Sequence, residues 1–349
     1  MTWQGIRGHD AVVERFRTAL GLHRLASTFL FVGPPGTGKR TFALKLAQAL
    51  LCERVSEEQL APCGECPACK QCLAGTHPDI DYVAKPEDKS SIPIELLIGS
   101  DEKRMREGLC FRISLKPFSG KRKIAIIDDA DYLFNEAANC LLKTLEEPPP
   151  RSVLILLGTS EQRQLPTIRS RCQVVRFQPL DTNDVAEILV EQQLTADRNA
   201  AHQAAALAEG SVSAAVRLLE SELSEFRAEL LQSLAQSPLQ PAVLMKLVQT
   251  YVDAAGKESA AKKLRLRDAF GFSSSYFRQL MLIGSGLAQP TAASRAWLDP
   301  AEMGSRGVEL CLEATSAADS NAAVLNVLEW WADELATLQR TGTATLLSH

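Results

Sequence analysis

No stretch of this chain approaches the roughly 18 or more consecutive apolar residues of a membrane-spanning helix. Met1 to Asp10 carries no hydrophobic segment of the kind a secretory leader has. The expectation is a cytoplasmic, reducing setting with no membrane partner, where disulfides are not the default fate of cysteines. A basic excess is lacking as well. Lysine and arginine number 38 against 42 aspartates and glutamates, a net charge of −4, so there is no global electrostatic footprint for nucleic acid. Any contact with DNA falls to a local patch or to a partner. The chain also has no internal repeat and no low-complexity tail. What remains is ordinary globular composition, 46% hydrophobic and 23% charged over 349 residues, enough for two or three domains.

Against that background Gly33-Pro34-Pro35-Gly36-Thr37-Gly38-Lys39-Arg40-Thr41 stands out. Its glycines and Lys39 fit the G-x-x-x-x-G-K-[ST] loop, whose backbone N–H groups wrap nucleotide phosphates while the lysine reaches the outer ones. The context agrees. Phe29 to Val32 is a short apolar run ending at Gly33, and residues 39–51 read as a helix with Phe42, Leu46 and Leu50 spaced by four. The position after the lysine should carry a small hydroxyl that ligates Mg²⁺. Arg40 stands there instead, a permanent cation with no acceptor atom for a metal. Thr41 lies about 100° further around the helix and is not an automatic replacement. The loop has the form of an ATP–Mg²⁺ site without its metal-binding hydroxyl.

A second apolar strand, Ile124 to Ile127, delivers Asp128, Asp129 and Asp131 at its C-terminal end. In phosphate-loop folds that edge borders the loop, so Asp128 is placed to hold Mg²⁺ through its water shell. Hydrolysis usually needs a longer carboxylate next, to orient the attacking water. Asp129 is one methylene short of glutamate, and a misplacement of about 1 Å costs on the order of a hundredfold in rate.

Cys63, Cys66, Cys69 and Cys72 form overlapping C-x-x-C turns, with Cys52 upstream. Five thiols compete for the four places of a tetrahedral structural Zn²⁺ site, and Cys52, Cys63, Cys66 and Cys69 are the chosen set, with Cys72 spare. Four thiolates leave no open catalytic position, so the expected work is to pin an insertion spanning residues 52–72. His77 reads as a loop residue.

Strand-like runs at residues 153–157 and 174–177 complete an alternating α/β pattern; the apolar stripe Ala138, Leu141, Leu142 and Leu145 marks a helix stopped by Pro148-Pro149-Pro150. From about residue 179 the chain is helical. The division expected is an α/β domain over residues 1–178, a helical lid over 179–221 and an all-helical C-terminal domain over 222–349. Val324, Leu328, Trp331, Leu335 and Leu338 form an apolar seam near the end. The basic run Lys257, Lys262, Lys263, Arg265 and Arg267 reads as a solvated face rather than a phosphate-contacting one. Arg171, within Ile168-Arg169-Ser170-Arg171-Cys172, would alone be a solvated loop residue.

Taken together, these residues resemble the bacterial DNA polymerase III clamp-loader subunits of the AAA+ superfamily. The resemblance rests on Asn135-Glu-Ala-Ala-Asn-Cys-Leu-Leu-Lys-Thr-Leu-Glu-Glu-Pro-Pro149, on Leu165-Pro-Thr-Ile-Arg-Ser-Arg-Cys172, and on the cysteine insertion followed by Gly75-Thr-His-Pro-Asp79. Trp3 and Gly8-His9 resemble the family's opening segment, which lies against the adenine. The match is dense over residues 3–178, loose to 221 and compositional beyond. It implies an AAA+ phosphate-loop domain made of a parallel sheet flanked by helices, a lid, and a helical collar that holds a five-subunit ring. It implies that Lys39 and its loop bind phosphate, that Asp128 and Asp129 are the acidic pair, and that Thr159 is a polar sensor. Arg171 would act in trans on the adjacent subunit's ATP. Motor subunits of the family carry Lys-Thr or Lys-Ser, Asp-Glu and a lid arginine. This chain has Lys39-Arg40, Asp128-Asp129 and Gly210-Ser211-Val212-Ser213. Those departures, with Ser170-Arg171-Cys172 kept, resemble the delta-prime branch, which completes a neighbour's site without turning over ATP. The implied partners are tau/gamma-like and delta-like subunits, a sliding clamp and primer-template DNA through the complex. The alternatives are an active tau/gamma-like motor and a free-standing phosphate-loop ATPase.

Overall fold

The computed structural model describes residues 3–103, 106–256, 259–291, 297, 299–320 and 322–341. The chain divides into two compact units, Met1–Leu219 and Glu220–His349. In the first, five parallel strands form one sheet: β1 (Thr28–Val32), β2 (Ile80–Val83), β3 (Lys123–Ile127), β4 (Ser152–Gly158) and β5 (Gln173–Arg176), in the order β2-β3-β4-β1-β5. The helices α1 (Asp10–Gly21), α2 (Lys39–Leu51), α3 (Pro67–Leu73), α4 (Ile94–Ile98), α5 (Leu109–Ser114), α6 (Asn135–Glu146) and α7 (Pro166–Arg169) accompany it. Then come α8 (Thr182–Glu191), α9 (Arg198–Leu207) and α10 (Val212–Leu218).

Strands β1, β3 and β4 are buried along their whole length because helices cover both faces of the sheet. Side chains alternate between those faces. Phe29 and Phe31 join Phe16, Phe42 and Phe177 in one core, while Leu30 and Val32 join Ile127, Leu154 and Leu156 in the other. Phe42, fully buried, has ring centroids 5.0 Å from Trp3, 5.7 Å from Phe16 and 5.2 Å from Phe177. Phe42→Ala is expected to destabilise this unit by about 3–5 kcal/mol. A urea midpoint that barely moves would show that the aromatic cluster closes up around the gap.

The sequence reading finds four strands and misses β2. Its four residues include Asp81, which is buried and neutralised by Arg112 Nε and by Lys123 Nζ at 3.7 Å. A charge made acceptable by partners far along the chain leaves no local strand signal.

The second unit is helical among the described residues: α11 (Ser221–Leu234), α12 (Pro241–Asp253), α13 (Ser259–Gly284), α14 (Pro300–Asp319) and α15 (Val324–Thr341). Helices α13 and α14 approach closely at Gly304 and Gly307. A Cβ on Gly307 would lie 2.3 Å from the Phe277 ring. Val327, Leu328, Trp331, Leu335 and Leu338 of α15 are buried. In the basic stretch, Lys262 pairs with Asp253 at 2.8 Å, Arg265 with Glu222, and Arg267 with Asp319 at 2.8 Å. Lys257 lies outside the described residues. No helix among the described residues is long and apolar enough to cross a membrane.

Candidate functional site

The phosphate loop joins β1 to α2, and its glycines are there for geometry. Gly38 caps α2 at φ +88° and Gly36 sits at φ +76°, both in the left-handed region that side chains with a Cβ rarely adopt. Close approach reinforces the requirement: a Cβ on Gly33 would lie 2.2 Å from the Phe177 carbonyl oxygen. Thr37 is fully buried and its Oγ1 donates to the Pro34 carbonyl at 2.9 Å. Lys39 Nζ donates to the Gly33 and Pro34 carbonyls at 2.6 and 2.7 Å, so its ammonium is folded onto its own loop. Burial lowers the Lys39 pKa, against the pull of Asp128 and Asp131. His9 is buried with Nε2 2.6 Å from the Thr37 carbonyl. Burial lowers its pKa too, and the carbonyl partner selects the tautomer with the proton on Nε2.

The turn before α10 reaches the apex of this loop. Val212 N–H donates to the Gly36 carbonyl at 2.9 Å, and a Cβ on Gly36 would fall 2.2 Å from the hydroxyls of both Ser211 and Ser213. Ser211 caps α10 by accepting from Ala214 N–H.

Arg40 turns toward the acidic strand end. Its Nε donates to Asp128 Oδ2, and the same oxygen accepts from the Tyr82 hydroxyl at 2.7 Å. The guanidinium also lies 5.8 Å from the centroid of the Tyr82 ring. The carboxylate that would face a metal's water shell is therefore engaged by a side-chain cation and a phenol. Tyr82 is held protonated well above its usual range by burial and by this bond to Asp128. Asp129, at φ +56°, has its pKa raised by burial and by the neighbouring Asp128. Thr41 and Pro35 are exposed. Thr159 follows β4 directly and is clamped by Asp131, which accepts its N–H at 3.0 Å and its hydroxyl at 2.5 Å. Gln164 donates to the other oxygen of Asp131.

Arg171 lies elsewhere. It precedes β5 at the N-terminal end of β1, where Thr28 Oγ1 donates to its carbonyl at 2.8 Å. Strand β1 separates that end from the phosphate loop by about 13 Å, four steps of roughly 3.3 Å. The structure thus brings Lys39, Arg40, Asp128, Asp129 and Thr159 to one edge of the sheet and leaves Arg171 at the opposite edge. Sequence reasoning missed three contributors. Tyr82 sits on the unseen strand, Asp131 was visible only as a third acid in the run, and Glu146 was visible only as one residue of the motif over 135–149, with no sign that it binds Arg171.

Cys52, Cys63, Cys66 and Cys69 bring their sulfurs within 4.8 Å of one another, a group that could hold a metal ion. The edge of a tetrahedral zinc–thiolate site is about 3.8 Å, from Zn–S bonds near 2.3 Å; Cys63 and Cys69 sulfurs are 4.0 Å apart. Cys52 ends α2, and Cys66 caps α3, whose first residue is Pro67. Backbone N–H groups of Cys63, Cys66 and Cys69 point at the sulfurs of Cys52, Cys63 and Cys66 at 3.4–3.5 Å, an arrangement that favours thiolates. Burial opposes ionisation of Cys52, yet the backbone N–H groups of Cys63, Val55 and Arg54 hold its thiol down at about 6. Cys72 stands outside the set, and burial pushes its thiol up to about 12. His77 is buried and its Nδ1 accepts from Asp79 N–H, so it too is outside.

A family model described as DNA polymerase III, delta subunit, matches residues 8–181. The chain is 35% identical over 224 residues to the DNA polymerase III subunit delta' of Bacillus subtilis, covering 63% of this chain and 62% of the relative. It is 33% identical over 251 residues to the delta' subunit of Yersinia pestis, covering 70% and 69%. The B. subtilis DNA polymerase III subunit tau is 30% identical over 228 residues, of which this chain spans 38% of the length.

Proposed function

From the chain's membership of the DNA polymerase III delta-subunit family, we propose that it is a delta-prime-like subunit of a clamp loader, lending Arg171 to a neighbouring ATP site while its own phosphate loop does not turn over ATP. The partners in this reading are tau/gamma-like and delta-like subunits, a sliding clamp, and primer-template DNA reached through the complex, in the cytoplasm. Residues 1–178 act as the AAA+ domain, 179–221 as its lid and 222–349 as a collar that joins the ring. Cys52, Cys63, Cys66 and Cys69 hold a structural Zn²⁺. Its chemistry is cross-linking: it would tie the end of α2 to the start of α3.

The observation that carries the reading is Arg40 on Asp128. A hydrolytic site needs that carboxylate and a hydroxyl to organise Mg²⁺. Here a fixed positive charge takes the carboxylate, and no hydroxyl follows the lysine. Asp129 is too short to orient a water well, and the lid carries Ser213 where a motor's arginine would stand. Arg171 sits at the opposite end of β1 from its own loop, which favours action on a second molecule. The likeness to tau supports the alternative of a motor subunit, but Arg40 weighs against it. Arg40→Thr combined with Asp129→Glu is expected to raise steady-state ATP hydrolysis by the isolated chain at least tenfold above a near-background wild type. A wild-type rate already equal to that of the double variant would return the chain to the motor class.

A further inference from the structure

We propose that Glu146 is the positioning residue for Arg171: its carboxylate fixes the guanidinium in the orientation from which it meets a neighbour's phosphate. The inference rests on the in-trans role proposed above and assigns the part of this chain that makes the role efficient.

Arg171 is anchored twice over. Its backbone is held by Thr28 Oγ1 on the carbonyl at 2.8 Å and by its own N–H on the Ile168 carbonyl at 3.0 Å. Its side chain is held separately. Glu146 Oε1, on the last residue of α6, accepts from Nε at 2.7 Å and from Nη2. The Thr167 carbonyl accepts from Nη1 at 2.9 Å, with the Ser170 hydroxyl further off at 3.3 Å. A guanidinium has five N–H donors in a rigid fork. The short contacts engage all three guanidinium nitrogens and use three of the N–H groups, leaving the others for a further acceptor. The Arg171 side chain remains 30% exposed and Glu146 48% exposed, so the pair lies at the surface.

An ion pair this exposed adds little to folding stability. Aim is a different matter. A free arginine samples many rotamers, and holding it beforehand removes that ordering cost from the moment of reaction. The carboxylate also offsets part of the guanidinium's charge, so the contribution expected of it is geometric rather than electrostatic.

The test uses the complex reconstituted with a tau-type ATPase subunit, every motor site silenced except the one next to this chain, with kcat and KM for ATP measured under clamp and primed DNA. Glu146→Ala is expected to lower kcat about tenfold with KM unchanged and with assembly and circular dichroism intact. Glu146→Gln, which keeps a carbonyl acceptor for the guanidinium without the charge, should recover most of the loss. If Glu146→Ala matches wild type while Arg171→Ala lowers kcat, the in-trans reading stands and the positioning role is refuted. Equal losses in the alanine and glutamine variants also refute it, since the shared hydrogen bond would not be what matters. An unchanged kcat in Arg171→Ala overturns both.

Discussion

Arg171→Ala is expected to cut ATP turnover at the site it completes by about a thousandfold, while the complex still assembles. An arginine supplied from a neighbouring chain compensates charge developing on the γ-phosphate, and the known range for such residues is roughly 10³–10⁵ in kcat. The loss belongs to the transition state, so nucleotide binding by the neighbour should change far less than its rate. Folding should be unaffected, because the side chain is partly exposed and its contacts are the surface pair with Glu146 and the Thr167 carbonyl. Single-turnover phosphate release in the reconstituted complex is the measurement. Where several motor sites fire, the total rate falls only by the share of the site next to this chain, so a variant of the neighbour with its other sites silenced gives the cleaner reading. Arg171→Lys is a useful companion: it keeps a charge but loses the fork, and should rescue poorly. Turnover that does not respond to either substitution would remove Arg171 from any ATP site.

The second large effect concerns the cysteine cluster. Cys66→Ser, or prolonged chelation, is expected to release one zinc per chain and to melt the segment between residues 52 and 72. In small zinc modules the metal contributes on the order of 10 kcal/mol, nearly all of it folding free energy. Here the sheet has its own two-sided core, so the loss should be local first: new protease cleavage within the insertion, then a lower melting temperature for the first unit. The damage has routes inward. Gln48 of α2 donates to the Cys69 carbonyl at 3.1 Å, and Lys121 to the Cys52 carbonyl. Cys72→Ser serves as the control and should keep its zinc. Elemental analysis finding no metal in the wild-type chain would dispose of the zinc assignment.

Much of the architecture was legible because most of the strands are continuous apolar runs, as strands covered on both faces must be. Residues 29–32, 124–127 and 153–157 announced themselves in that way, the edge strand at 174–177 showed a shorter Val-Val run broken by Arg176, and the four-residue spacing of Phe42, Leu46 and Leu50 announced α2. Strand β2 did not, since Asp81 is paid for by Arg112 and Lys123, neither of which is near it in sequence. The candidate site divides along the same line. Glycines with positive φ leave a local signature, and so do four thiols at turn spacing. The partners that determine what those groups can do are contributed from a distance. Arg40 reads as a missing hydroxyl in the sequence; only the fold shows it seated on Asp128 beside Tyr82. Ser211 and Ser213 read as a missing arginine, whereas in the structure they crowd Gly36. The tie between Glu146 and Arg171 joins the ends of two helices and has no periodicity to betray it.

One further consequence comes from Thr28, whose hydroxyl grips the Arg171 carbonyl. It ties the segment before β5 to the start of β1, the strand between β4 and β5. If Arg171 meets a neighbour's triphosphate as proposed, a pull on its main chain would pass into Thr28 and on to β4 and β5, hydrogen-bonded on either side of β1. A flexible loop would yield under that pull and blunt it. A strand braced on both flanks would yield less under the same pull.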